Sequence, residues 1–176
     1  MYADSKFEFC RLDGVKAEML KLDYTEERLS MFIILPDEVD GAPSVFKHYN
    51  DFNQENCKGQ LRPVAATILI PKFEVETEYK MKRTFTEMGI NHLFSPNKAN
   101  LSGISKQGQL YVDEIYYKAF LKVDEDGTEA AAASGSVINM VSKIKLFNAN
   151  HPFMIKIVEN KHGNVVFEGL IADPSN

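Results

Sequence analysis

Residues of the types that most often carry out chemistry in proteins are sparse in this sequence. The four histidines and two cysteines are scattered singly, at His48, His92, His151, His162, Cys10 and Cys57. None of the histidines has the spacing of a metal site, and there is neither a glycine-rich phosphate loop nor a nucleophile elbow. A Cys57–His pair assembled by the fold is the remaining nucleophilic alternative. We therefore expect a protein that is not an enzyme and that uses no metal or cofactor.

An acidic cluster, Asp124-Glu125-Asp126, is the other candidate for a cation site. Because Gly127 follows it directly, we interpret the cluster as a solvated turn. The segment after the turn reads Thr-Glu-Ala-Ala-Ala-Ala-Ser-Gly-Ser over residues 128–136. Alanine favours helices over strands, so a short helix capped by Thr128 is one interpretation.

The same segment has a different meaning when it is read with the period of a β-strand. Its alternate residues on one side are then all small, namely Thr128, Ala130, Ala132, Ser134 and Ser136. Little side-chain bulk would stop such a segment from entering the middle of an existing sheet. The composition of this segment favours a helix, whereas its alternation of small residues fits a strand. Conflicts of this kind are often found at functional segments.

Most of the remaining chain is predicted to be β-strand. Alternation and apolar runs predict strands at 6–12, 16–24, 28–35, 62–71, 73–78, 110–123, 152–159 and 165–171. Short helices are predicted at 43–52 and 79–88, the second ending at Gly89. The run 29–35 is nearly all apolar, so it should be buried on both faces. These elements predict an α+β fold.

Length and charge exclude several classes of function. The 176 residues, 44% of them hydrophobic, are enough for one domain with a core. A net charge of −5 and the lack of a long Lys/Arg cluster argue against nucleic acid as a partner. No apolar run is long enough to cross a membrane, so we expect no membrane partner.

Two cysteines are too few for a disulfide scaffold, and we expect Cys10 and Cys57 to be buried or free thiols. Asn100-Leu101-Ser102 is a glycosylation sequon that matters only in a secreted protein.

Several segments together resemble the serpin family of serine protease inhibitors. Glu-Asp-Gly-Thr-Glu-Ala-Ala-Ala-Ala-Ser at 125–134 resembles the hinge of the serpin reactive loop, and Phe-Asn-Ala-Asn-His-Pro-Phe at 147–153 resembles the element after it. Residues 165–174 resemble the C-terminal strand and ending. Further matches in the expected order are Leu35-Pro36, Pro71-Lys72-Phe73 and Leu101-Ser102-Gly103-Ile104.

The resemblance covers about the C-terminal half of the serpin fold. It implies a single serpin-like domain over residues 1–176, with mostly antiparallel β-sheets and a few short helices. That domain would be incomplete, since the N-terminal half of the family fold contributes most of the helices and several central strands. We interpret the chain as a truncated form or a fragment of a serpin.

The resemblance also implies a suicide-substrate mechanism. Residues of about 127–147 would be exposed as bait for a target serine protease or, alternatively, a cysteine protease. The hinge would consist of Glu125, Gly127, Thr128, Glu129, Ala130, Ala131, Ala132 and Ala133. After cleavage, the part from Thr128 onward would insert into the large sheet, which is an established case of strand addition in serpins.

The family's loop spacing places the scissile bond between Val141 and Ser142, with Met140 and Lys143 as alternative positions for the cut. Val141 or Met140 before the cut would suit an elastase-like or chymotrypsin-like protease, whereas Lys143 would suit a trypsin-like one. An extracellular location is favoured, with an intracellular one as the alternative.

Two departures from the family pattern support an alternative function. Tyr117 stands before Lys118-Ala119 where the family usually has histidine, in the region that opens for insertion. The insertion slot also needs a partner strand from the missing half. The alternative is therefore a non-inhibitory serpin-derived binding or assembly protein, or a decoy substrate, that self-associates through open sheet edges.

Overall fold

The computed structural model describes residues 1–48, 57, 60–105, 110–124 and 144–173. Within these ranges the chain forms nine strands and two α-helices. The strands are β1 (Tyr2–Leu12), β2 (Ala17–Asp23), β3 (Leu29–Pro36), β4 (Arg62–Leu69), β5 (Phe73–Lys80), β6 (Tyr116–Val123), β7 (Lys145–Asn148), β8 (Phe153–Glu159) and β9 (Val165–Ile171). The helices are α1 (Ala42–Lys47) and α2 (Lys82–Glu87).

The chain divides into two compact units. The first comprises Met1–Phe73 and Val123–Asn176, and the second comprises Glu74–Lys122. The first unit contains a seven-stranded sheet in the order β7-β4-β1-β2-β3-β8-β9. Its pairs are antiparallel except for β4 and β7, which run parallel. Short turns explain the antiparallel neighbours, because β1, β2 and β3 follow one another closely in sequence.

The core of the first unit lies along β3 and β8. Met31, Phe32, Ile33 and Ile34 are each at most 2% exposed. Successive residues of a strand point to opposite faces, so burial of four in a row means that both faces of β3 are covered. The prediction that this apolar run is buried on both faces is therefore confirmed.

Cys10 of β1 and Cys57 form a disulfide, with their Cα atoms 6.0 Å apart. Both belong to a buried cluster with Val45 of α1 and Phe32 of β3. The expectation of free thiols is therefore wrong. The bond forms because the fold brings together two cysteines that are 47 residues apart in sequence. Their Cα separation is within the range that a disulfide spans.

The second unit contains the two-stranded sheet of β5 and β6 together with α2. Gly89 adopts a φ of +93°, and its N–H donates to the Thr86 carbonyl at 3.0 Å. The next residue, Ile90, donates to Phe85 at 2.9 Å. This arrangement is a glycine C-cap, as the sequence predicted. Helix α1 ends at Lys47, with His48 as its C-cap, so it is shorter than the helix predicted over 43–52.

The strand predicted over 110–123 begins only at Tyr116. Before that point the backbone bonds elsewhere. Val112 N–H donates to the Leu93 carbonyl at 3.0 Å, and the Glu114 carboxylate accepts the N–H groups of Lys82 and Ile115, each at 3.0 Å. These contacts remove residues 110–115 from the sheet. No helix in the described ranges is long and apolar enough to cross a membrane.

Candidate functional site

The residues predicted to form the hinge and the scissile bond of the reactive loop lie outside the described residues. They are the hinge residues Glu125, Gly127, Thr128, Glu129, Ala130, Ala131, Ala132 and Ala133, and the scissile-bond candidates Met140, Val141, Ser142 and Lys143. The structure does describe the segments on either side of this stretch. The contacts of the candidate site are therefore those of the two flanking segments, which end at Asp124 and begin at Ile144.

On the N-terminal side, β6 ends at Val123, which is 6% exposed. On the C-terminal side, Ile144 is 67% exposed and β7 begins at the next residue. The predicted loop ran to about residue 147, but Phe147 lies in β7 and is only 1% exposed. The chain is therefore already part of the seven-stranded sheet from Lys145 onward.

Strand β7 is held by apolar contact as well as by its pairing with β4. The Phe147 ring lies 5.8 Å from the Phe9 ring, centroid to centroid, in a tilted arrangement. Phe147 is also opposite Ile68, which is fully buried. Burying a phenylalanine side chain contributes about 1.5–3 kcal/mol. A strand of only four residues thus has a substantial apolar attachment.

A polar contact adds to this attachment. Lys145 Nζ donates to Glu18 Oε1 of β2 at 2.5 Å and lies 5.0 Å from the centroid of the Phe9 ring. The two charged side chains are 32% and 22% exposed, so water screens the pair less than it screens a surface ion pair. The ammonium group therefore combines an ion pair with a cation–π contact.

The chain beyond β7 is fixed by two further hydrogen bonds. Ala149 N–H donates to the Leu69 carbonyl at 2.9 Å, and His151 Nε2 lies 2.8 Å from the Pro36 carbonyl, to which it donates. The His151 bond ties the start of the last hairpin to the end of β3. This contact gives His151 a structural role.

The sequence analysis missed Glu18, Lys145 and Phe9 as partners that hold the C-terminal flank. Phe9 carried a local signal, since it alternates with Phe7 in a predicted strand. Glu18 and Lys145 are 127 residues apart in sequence, and nothing near either of them indicates the contact.

Tyr117, where the family usually has histidine, lies in β6 and is half exposed. Its ring stacks on that of Tyr79 with the centroids 6.5 Å apart. The adjacent Lys118 forms an ion pair with Glu76 at 2.6 Å, and this contact raises the pKa of Lys118 through the hydrogen bond to that carboxylate. Aromatic and charged contacts thus join β5 to β6.

The last strand, β9, forms one end of the seven-stranded sheet. Val165 and Val166 are 45% and 62% exposed, and Leu170 is 40% exposed. A sheet end with exposed apolar side chains is a surface on which another strand can pair. Among the described residues, no group of three or more His, Cys, Asp or Glu side chains is placed to hold a metal ion.

Comparison with known proteins places this fold in a family. Residues 1–174 match Serpin, the serine protease inhibitor family. The chain is 34% identical over 178 residues to Serpin B10 of Homo sapiens, covering 99% of this chain and 45% of that protein. It is also 34% identical over 179 residues to the leukocyte elastase inhibitor of Xenopus tropicalis, covering 99% and 48%.

The fold agrees with solved serpin structures. The structure of Serpin48 from the insect Tenebrio molitor matches with a TM-score of 0.75 at 29% identity, covering 97% of this chain and 44% of that one. The chain therefore belongs to the serpin family, and it spans about half the length of the curated relatives it matches. The predicted family and the predicted fold, mostly β-sheet with a few short helices and incomplete relative to the family, are confirmed.

Proposed function

We propose that this chain belongs to an inhibitor of serine proteases that acts as a suicide substrate. The observation that carries the proposal is the family match over residues 1–174. In the proposed reaction, the serine hydroxyl of the protease attacks the Val141 carbonyl, and the bond to Ser142 breaks. Ser142 leaves as a free amine after taking up a proton, and Val141 remains ester-linked to the protease.

Loop insertion then traps the protease before water can hydrolyse that ester. The segment from Thr128 onward would add a strand to the large sheet, gaining backbone hydrogen bonds and burying its small side chains. The uncleaved form is held back kinetically, so cleavage releases a stored free energy. Support for fixed flanks comes from the burial of Val123 and Phe147, since a bait segment needs both of its ends attached.

The preferred target is an elastase-like protease. Val141 is a small apolar residue of the kind that such proteases accept before the cut, and one relative is named leukocyte elastase inhibitor. Cleavage after Met140 would instead indicate a chymotrypsin-like target, and cleavage after Lys143 would indicate a trypsin-like one.

The test is to mix the purified protein with elastase, chymotrypsin and trypsin, and to analyse the products by denaturing gels and mass spectrometry. We expect a covalent complex with elastase that survives boiling, together with a released peptide that begins at Ser142. Cleavage of the chain without any stable complex would refute the suicide mechanism.

A matched pair of hinge variants tests the insertion step. Ala130 and Ala131 are neighbours that point to opposite sides of an extended strand, and Ala130 shares its side with Thr128 and Ala132. Ala130→Arg should put a charge into the sheet, slow insertion and turn the inhibitor into a substrate. Ala131→Arg is the control and should change the inhibition stoichiometry far less. Equal stoichiometries for the two variants would show that this side of the hinge does not enter a sheet.

A second candidate function rests on the exposed end of the sheet at β9. A serpin-derived decoy or assembly protein would be cleaved or bound without trapping a protease, and would associate through strands such as β9. The same gel experiment separates the two candidates. A decoy is cut and released, whereas an inhibitor remains linked to its protease.

A further inference from the structure

Asn100 is exposed and lies between two turns of the unit Glu74–Lys122. A hydrogen-bonded turn precedes it, in which Ala99 N–H donates to the Ser95 carbonyl at 2.9 Å. Another turn follows it, in which Ile104 N–H donates to the Leu101 carbonyl at 2.9 Å. Asn100-Leu101-Ser102 is also the only Asn-X-Ser/Thr tripeptide in the 176 residues. Modification at a sequon would therefore fall on one identifiable side chain.

The side chains of this tripeptide are arranged for modification. The Ser102 hydroxyl donates to Asn100 Oδ1 at 2.8 Å, and the Ser102 N–H approaches the same oxygen at 3.3 Å. Both contacts use the amide oxygen of Asn100 and not its nitrogen, which is the atom that would carry the glycan. Within the described part of the chain, Nδ2 of Asn100 has no hydrogen-bond partner. The space beside the tripeptide at Gly103 is also open, since a Cβ atom added there would meet nothing within 4 Å.

These contacts are local, joining residues only two positions apart. The turn can therefore form while the chain is being made, before any distant part of the fold is in place. A large, solvated substituent on Nδ2 would point into open space, because Asn100 and Ser102 are both exposed. Nothing described around the turn would have to be displaced by it.

The Cys10–Cys57 disulfide supplies an independent observation. Disulfides form and persist in oxidising environments such as the lumen of the endoplasmic reticulum, where N-linked glycans are also attached. Both cysteines are at most 2% exposed, so the bond is part of the buried core. The exposed sequon and the buried disulfide thus indicate the same compartment.

We propose that Asn100 is an N-glycosylation site and that this protein folds in the secretory pathway. The co-reactant is a lipid-linked oligosaccharide diphosphate. Asn100 Nδ2 forms a bond to the anomeric carbon of the first sugar, and the bond from that carbon to the phosphate oxygen breaks. The amide loses one proton, and the lipid diphosphate leaves, so no electron transfer is involved.

The experiment uses the protein isolated from the cells that make it. Denaturing gels with and without peptide N-glycosidase are combined with mass spectrometry of the peptide that contains residue 100. We expect the enzyme to lower the apparent mass and to leave aspartate at position 100. Recovery of that peptide with unmodified asparagine before enzyme treatment would overturn the proposal.

Variants expressed in the same cells show which residues the modification needs. Asn100→Gln and Ser102→Ala should each abolish the mass shift, whereas Ser102→Thr should keep it because threonine preserves the hydroxyl. Asn97→Gln is the matched control, an exposed asparagine that lies outside the sequon, and it should leave the shift unchanged. A shift that survives Asn100→Gln would overturn the assignment of the site.

A separate measurement tests the compartment. The protein is unfolded in denaturant so that buried thiols can react, and free thiols are alkylated with one reagent before reduction and with a second reagent after it. We expect Cys10 and Cys57 to carry only the second label. Labelling of both by the first reagent in the freshly isolated protein would contradict folding in an oxidising compartment.

Discussion

Reduction of the Cys10–Cys57 disulfide should strongly lower the free energy of unfolding. The bond closes a loop whose ends are 47 residues apart in sequence. In the chain-entropy description, a loop of this size lowers the entropy of the unfolded chain enough to stabilise the folded state by about 4 kcal/mol. This is a large share of the ~5–15 kcal/mol that holds a typical domain folded.

Urea unfolding followed by circular dichroism measures this contribution. With a slope of about 2 kcal/mol per molar urea, a loss of about 4 kcal/mol corresponds to a fall in midpoint of about 2 M. The oxidised and the reduced wild-type protein form the matched pair. They contain the same buried sulfur atoms, so the comparison isolates the bond from any change in packing.

A Cys10→Ala/Cys57→Ala double variant extends the test. Removing two buried sulfur atoms should cost additional stability through the cavity that they leave. We therefore expect the double variant to be less stable than the reduced wild type. If reduction of a fully oxidised sample lowers stability by less than about 1 kcal/mol, the unfolded chain is not constrained as this reasoning requires.

Two further contacts lead to predictions. Glu18→Gln should weaken the attachment of β7 by about 1 kcal/mol and speed hydrogen exchange of its amides, because Lys145 loses its charged partner. The control is Glu8→Gln, which removes a more exposed ion pair and should not affect β7. The pKa of Glu159 is lowered because the backbone N–H of His162 donates to its carboxylate. The contribution of this contact to stability is therefore complete above the ordinary glutamate pKa of about 4.3, and it is lost as the pH falls through the lowered pKa. Urea midpoints of wild type and Glu159→Gln should therefore differ near neutral pH and converge in acid, and a pH-independent difference would contradict this assignment.

The elements that could be predicted from the sequence are those with a strong local pattern. The apolar run at 29–35 predicted a strand buried on both faces because no polar residue other than Ser30 interrupts it, and Gly89 marked the end of a helix. The alternation over 110–123 overextended its strand, since the Glu114 carboxylate binds backbone N–H groups that a local pattern does not reveal. Contacts between distant parts of the chain, such as Cys10–Cys57, left no local signal.

The two flanks of the proposed reactive segment differ in how they are attached. On the C-terminal side, β7 is paired with β4, buries Phe147, forms an ion pair through Lys145 and continues into the hydrogen bond of His151. A cut between Val141 and Ser142 would leave these contacts intact, so the new N-terminus would remain attached to the seven-stranded sheet through β7. Only the residues before the cut would become free to move, and these include the small residues of the hinge. In the proposed mechanism, these contacts would therefore retain the half of the loop after the cut, and the half before the cut would be released for insertion.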